Sequence, residues 1–127
     1  MRDLSGLPDL TVALVQTTLA WHDRQANFDH FDDLLQQAAG ADLVVLPEMF
    51  TTGFAMEAAK QSLSQEEVVA WMEAKADQTN ALIAGSAALQ TDRGPVNRFL
   101  LVEPGGKIHF YDKRHLFRMA DEHHHYA

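Results

Sequence analysis

The strongest constraint on this chain is a change of hydrophobic period within its first fifty residues. Leu10 to Gln16 is a short, nearly continuous apolar run behind a turn signal at Pro8-Asp9. That is the pattern of a buried strand. From about Gln25 to Ala39 the period lengthens: Phe28, Phe31, Leu34, Leu35 and Ala38 recur three or four residues apart, with Asp29, Asp32, Asp33 and Gln36 between them. This spacing lays one apolar stripe along a helix. The aspartates are expected early in that helix, where its dipole favours anions, and Gly40 is placed to end it in a left-handed conformation. Asp42 to Pro47 is a second buried strand, closed by a proline that cannot donate to a ladder. Alternation of this kind indicates α/β layering.

The rest of the chain extends the pattern. Ser64-Gln65-Glu66-Glu67 reads as a capping box opening a second helix, with Val68, Val69, Met72 and Ala76 as its buried stripe and Asn80 as its stop. Leu82 to Ala87 is a third strand, in which Gly85 allows close backbone approach. Thr91 to Pro95 is a turn, Arg98 to Val102 a fourth strand, Pro104-Gly105-Gly106 a hairpin turn, and Lys107 to Tyr111 a fifth strand. Asn97, ahead of the fourth strand, reads as a turn residue more readily than as a hydrogen-bonding support for a pocket. Five strands and two helices result, with antiparallel pairing added at the end. No repeat or linker divides residues 1–127, so a single domain is expected.

Composition removes several classes of function. Eighteen acids against ten Lys and Arg give a net charge of -8, which leaves little for a phosphate backbone to pair with. The absence of cysteine excludes disulfides and thiolate metal sites. The first apolar run is too short for a signal core or a membrane span. A cytoplasmic protein that engages neither membrane nor nucleic acid is expected.

Some residues could carry chemistry. Glu48 follows a buried strand, at the edge where open α/β sheets meet their ligands, and neighbouring Met49, Phe50 and Phe54 would give its carboxylate an apolar surround suited to proton transfer. Its plain alternative is a solvated acid. Lys113, in Tyr111-Asp112-Lys113-Arg114-His115-Leu116-Phe117, could stabilise an oxyanion, although a surface lysine in a basic doublet is the simpler reading. His123-His124-His125, with His115 upstream, invites a metal, yet adjacent histidines on an extended backbone point to opposite faces. Phe50, Phe54 and Met56 are core residues more often than pocket walls, with Phe54 the candidate for substrate contact.

Together these segments resemble a known pattern. Gly40-Ala41-Asp42-Leu43-Val44-Val45-Leu46-Pro47-Glu48-Met49-Phe50 is similar to the segment of the nitrilase superfamily, the carbon–nitrogen hydrolases, that carries its catalytic glutamate. Tyr111 to Phe117 is similar to the segment that carries its catalytic lysine. The strand ending in Gln16 and the strand at Asn97 also fit. Pro47 to Phe54 and Lys113 to Ala120 most resemble the bacterial omega-amidase branch, whose members release ammonia from 2-oxo acid omega-amides such as 2-oxoglutaramate and 2-oxosuccinamate. The resemblance implies a four-layer α-β-β-α sandwich of which this chain would be the N-terminal half, with the C-terminal half absent. It implies Glu48 as general base, Lys113 as oxyanion stabiliser and Glu122 as a second, orienting glutamate. It further implies a small-molecule amide substrate, no cofactor, and an intact protein that could be a homodimer. The cysteine nucleophile of the family is missing here, so the fragment is expected to be inactive alone. The competing expectation is a small non-catalytic α/β binding domain with metal at its histidine-rich tail, or a degenerate family member acting as a partner subunit.

Overall fold

The computed structural model describes residues 5–53, 63–116 and 122–127. Strand β1 (Val12–Leu14) leads into helix α1 (Arg24–Leu35), then β2 (Leu43–Val45), helix α2 (Gln65–Thr79), β3 (Leu82–Thr91), β4 (Gly94–Val102) and β5 (Ile108–Asp112). The strands form one sheet in the order β1-β2-β3-β4-β5. β1, β2 and β3 run parallel, because each pair is joined through a helix; β3-β4 and β4-β5 are antiparallel hairpins. This is the expected sequence of elements.

Local rules account for the helices. Ser64 caps α2 by accepting the Glu67 amide at 3.3 Å, and Asn80 ends it in a left-handed conformation, φ 52° and ψ 42°. Val68, Val69, Met72 and Ala76 are the residues α2 buries. The expectation for α1 needs correction. Its first turn carries no acid, since Asp29, Asp32 and Asp33 lie further along; the anion at its start is Asp23, whose carboxylate accepts the Ala26 amide at 3.0 Å. The α-helix stops at Leu35 and tightens into a 3-10 turn over Gln36–Ala38. Gly40, at φ +88°, then redirects the chain towards β2.

Both helices cover one face of the sheet. Phe31 and Leu35 of α1 and Val68, Met72 and Ala76 of α2 share a core with Val44, Ile83, Leu89, Leu100 and Val102. Phe28, Phe31, Phe50 and Trp71 interlock there; the Phe31 and Phe50 rings meet edge-on at 5.9 Å and those of Phe28 and Trp71 stack at 5.0 Å. Asp32 joins the helices by accepting the Trp71 indole N–H at 3.1 Å and pairing with Lys75 at 2.6 Å.

The opposite face differs. β1 was expected to be buried, yet Val12 is 43% and Leu14 75% exposed, as are Phe99 (43%) and Tyr111 (52%) on β4 and β5. The two short parallel strands are apolar on both sides, and the helices can cover only one. Among the described residues no helix is long and apolar enough to cross a membrane.

Candidate active site

The site forms where β2 and β5 end on the less covered face. Pro47 terminates β2 and leads directly to Glu48. Met49 adopts φ +57°, a left-handed conformation that costs a side-chain-bearing residue roughly 1–2 kcal/mol. It makes a sharp turn, closed by the Thr52 and Gly53 amides donating to the Met49 carbonyl at 3.2 and 2.8 Å. Phe50 then drops into the aromatic core and anchors the turn. Asn27, buried on α1, holds the turn from the other side: its side-chain amide donates to the carbonyls of Ala20 (2.7 Å) and Thr51 (2.8 Å) while its oxygen accepts the Ala20 amide.

Lys113 follows β5 directly. Its amide donates to the Asn97 carbonyl at 2.9 Å, continuing the ladder with β4. One step back, Arg98 grips Asp112 with two hydrogen bonds of 2.6 and 3.0 Å and reaches Gln65 at the start of α2 at 2.7 Å. That guanidinium holds the Asp112 carboxyl below the usual carboxylate range, chiefly through the hydrogen bond. It also fixes the strand end from which Lys113 projects.

The side chains converge. Lys113 Nζ lies 3.2 Å from Glu48 Oε2 and 2.9 Å from Glu122 Oε1. The Asn97 side-chain amide donates one N–H to Glu48 Oε2 at 2.9 Å and another to Glu122 Oε2 at 3.0 Å. Glu122 is completely buried, a position a carboxylate tolerates only when paired and hydrogen-bonded. Burial would lower the Lys113 pKa, but the hydrogen bonds it donates to Glu122 and Glu48, with their charges, outweigh it and leave it raised. Lys113 therefore stays cationic through the neutral range, suited to stabilising negative charge and not to taking a proton. Glu48 is half-exposed and borders a cavity of about 340 Å³ together with Lys113, Asn97, Ser86, Phe99 and Tyr111. A carboxylate reachable from a cavity beside a fixed cation can move a proton and steady an oxyanion there.

Sequence reasoning placed Glu48 and Lys113 correctly at strand ends but misjudged their surroundings. The expected apolar neighbours of Glu48, Met49 and Phe50, point into the core, and its carboxylate instead meets an amide and an ammonium. Phe54 and Met56 lie outside the described residues. Asn97 is not a turn residue: it sits within β4, paired with Ala88. No local signal marks it, because its partners are 49 and 25 residues away. Glu122 opens a 3-10 turn over Glu122–His124 and aims its carboxylate at Lys113 and Asn97. Among the described residues no three His, Asp or Glu side chains gather closely enough to hold a metal ion. Behind Glu122, Tyr126 is buried against Met49 and Ala88, and burial, with the Glu122 charge, pushes its phenol pKa upwards.

The carbon–nitrogen hydrolase family profile matches residues 11–126, nearly the whole chain. The chain belongs to that family. It is 67% identical over 120 residues to the omega-amidase YafV of Escherichia coli strain K12, covering 94% of this chain and 47% of that protein. It is 58% identical over 117 residues to the omega-amidase YafV of Yersinia enterocolitica, covering 92% and 46%. Among solved structures, a carbon–nitrogen hydrolase superfamily protein from Xanthomonas campestris, carrying an arsenic adduct in its active site, superposes with a TM-score of 0.92 at 44% identity, covering 95% of this chain and 46% of that one. The chain thus spans about half the length of the relatives it matches, and its five-stranded sheet and two helices are part of a carbon–nitrogen hydrolase domain.

Proposed function

We propose that the intact protein is an omega-amidase that releases ammonia from the side-chain amide of small 2-oxo acids such as 2-oxoglutaramate. A single observation carries the reading: Glu48 and Glu122 flank one ammonium, Lys113, at the mouth of a cavity, with Asn97 donating to both carboxylates. The high identity to relatives named omega-amidase supports the choice of reaction.

In this reading a cysteine thiol from the remainder of the domain attacks the amide carbonyl, and Glu48 accepts its proton. Lys113, tethered by Glu122, donates a hydrogen bond to the tetrahedral oxyanion. As the C–N bond breaks, Glu48 returns the proton to the departing ammonia. Water, activated by Glu48, then hydrolyses the thioester and frees the acid. The chain has no cysteine, and Ser86, the hydroxyl on the cavity wall, spends its oxygen on the Met49 amide. The 127 residues alone are therefore inactive. The rest of the domain lies against the open face that bears Val12, Leu14, Phe99 and Tyr111, giving the four-layer sandwich. Acyl transfer through a thiol needs no cofactor.

Intact-mass spectrometry of the full-length protein, quenched during turnover of 2-oxoglutaramate, tests the reading. One acyl adduct on a cysteine encoded after codon 127 is expected. Turnover that persists after that cysteine is replaced by alanine would overturn it.

A further inference from the structure

We propose that Ser86 is a positioning residue that aims Glu48 at its partners, a role that rests on the amidase reading of the site. The observation is a double grip. The Met49 amide donates to Ser86 Oγ at 3.0 Å, and the next amide, Phe50, donates to the Ser86 carbonyl at 3.0 Å. One residue of β3 thereby pins two consecutive amides of the turn that carries Glu48. The residue between the two grips is Met49, which is fully buried and held at φ +57°. A side-chain-bearing residue keeps that conformation only when its surroundings impose it. The neighbour of Ser86 keeps the grip close: a Cβ at Gly85 would lie 3.0 Å from the Phe50 ring and 3.1 Å from Leu46 Cβ, so a side chain there would push the turn a few tenths of an ångström away from β3.

The Ser86 hydroxyl is what distinguishes this from ordinary sheet bonding. The Phe50 bond uses backbone and any residue at position 86 would provide it. The Met49 bond uses the side chain. Without Oγ the buried Met49 N–H has lost its acceptor, and the turn gains by rotating Met49 out of the left-handed region to find another. That rotation moves the adjoining Glu48, whose carboxylate depends on staying 2.9 Å from Asn97 and 3.2 Å from Lys113. Ser86 acts on the reaction through Glu48 and takes no part in bond making.

The test uses the intact protein with Ser86→Ala and with the shape-matched pair Ser86→Thr and Ser86→Val, which differ in the hydroxyl alone. Ser86→Ala and Ser86→Val are expected to lower kcat on 2-oxoglutaramate on the order of 10- to 100-fold, as a misplaced catalytic group does, with KM within about threefold. Ser86→Thr should recover most of the loss. A folded Ser86→Ala protein with wild-type kcat, or Thr and Val variants with equal kcat, would overturn the proposal. A crystal structure of Ser86→Ala decides it without activity. Met49 at negative φ with the Glu48–Lys113 contact opened supports positioning; unchanged geometry refutes it. An intact wild-type protein that hydrolyses no amide would defeat the amidase reading, while the crystal result would still decide whether Ser86 holds the turn.

Discussion

The two faces of the sheet are built from the same strands, yet they end in opposite conditions. On one side Val44, Ile83, Leu89, Leu100 and Val102 are fully buried beneath α1 and α2. On the other, Val12 and Leu14 of β1, Phe99 of β4 and Tyr111 of β5 stand 43–75% exposed. The register row Leu14, Val45, Ala84 and Leu101 crosses four strands on that second face. Both faces are apolar, so hydrophobicity does not separate them. What does is how the polar groups are used: Arg98 and Asp112 on the helix side close on each other and on Gln65, whereas Ser86 and Asn97 sit on the less covered face, where Glu48 and Lys113 meet them. One face is spent on stability, and the other carries a site at its rim and apolar surface awaiting cover.

The largest effect expected is on chemistry. In the intact protein, Glu48→Gln should lower kcat by about 10²- to 10⁴-fold and Lys113→Ala by about 10²- to 10³-fold, measured as ammonia release. Activity within tenfold of wild type in either variant would move the site away from this rim.

Those two residues could be read from sequence because each follows a strand of clear pattern, and resemblance of the flanking segments singled them out together. The α2 stripe and its two caps were equally legible, since capping and 3.6-residue periodicity are local. Glu122 emerged from resemblance alone; nothing in Asp121-Glu122-His123 announces a buried carboxylate, and the neighbouring histidines raise a metal reading that their opposite-facing spacing disfavours. Asn97 reads as a pocket support only behind a turn residue, and Ser86 is not singled out, because their roles lie in contacts across 25 to 49 residues. The exposure of β1 was also hidden, for a run such as Val12-Ala13-Leu14 asks for cover on both sides and cannot say which element supplies it.

By urea denaturation of the intact protein, Ile83→Ala should cost about 2–5 kcal/mol. If the remainder of the domain covers this face as proposed, Leu14→Ala should cost about 2 kcal/mol or more, despite the exposure of Leu14 here. A cost under about 0.5 kcal/mol for Leu14→Ala, typical of a surface change, would mean that the second face stays open.

A smaller loss is expected at the seam between site and sheet. Asn97→Ala removes both donors bridging Glu48 and Glu122 and should destabilise the protein by about 1–3 kcal/mol, read from the same denaturation curves. An unchanged midpoint would show that the carboxylates do not depend on the bridge.

The smallest effect belongs to the strand end behind Lys113. Arg98 lowers the Asp112 pKa in the folded state, so the pair stabilises fully above the unfolded carboxyl pKa of about 3.9 and loses its contribution as pH falls through the lower folded value. Removing it with Arg98→Met should cost about 1 kcal/mol at neutral pH and progressively less below pH ~4. A difference between variant and wild type that grows with acidification would reverse the assignment.

The most direct measurement is ammonia release from 2-oxoglutaramate by the full-length protein and by residues 1–127 side by side. The account predicts turnover by the former, lost in Glu48→Gln, and none above background by the latter. Turnover by the cysteine-free 127 residues, or none by the full-length protein, would contradict it.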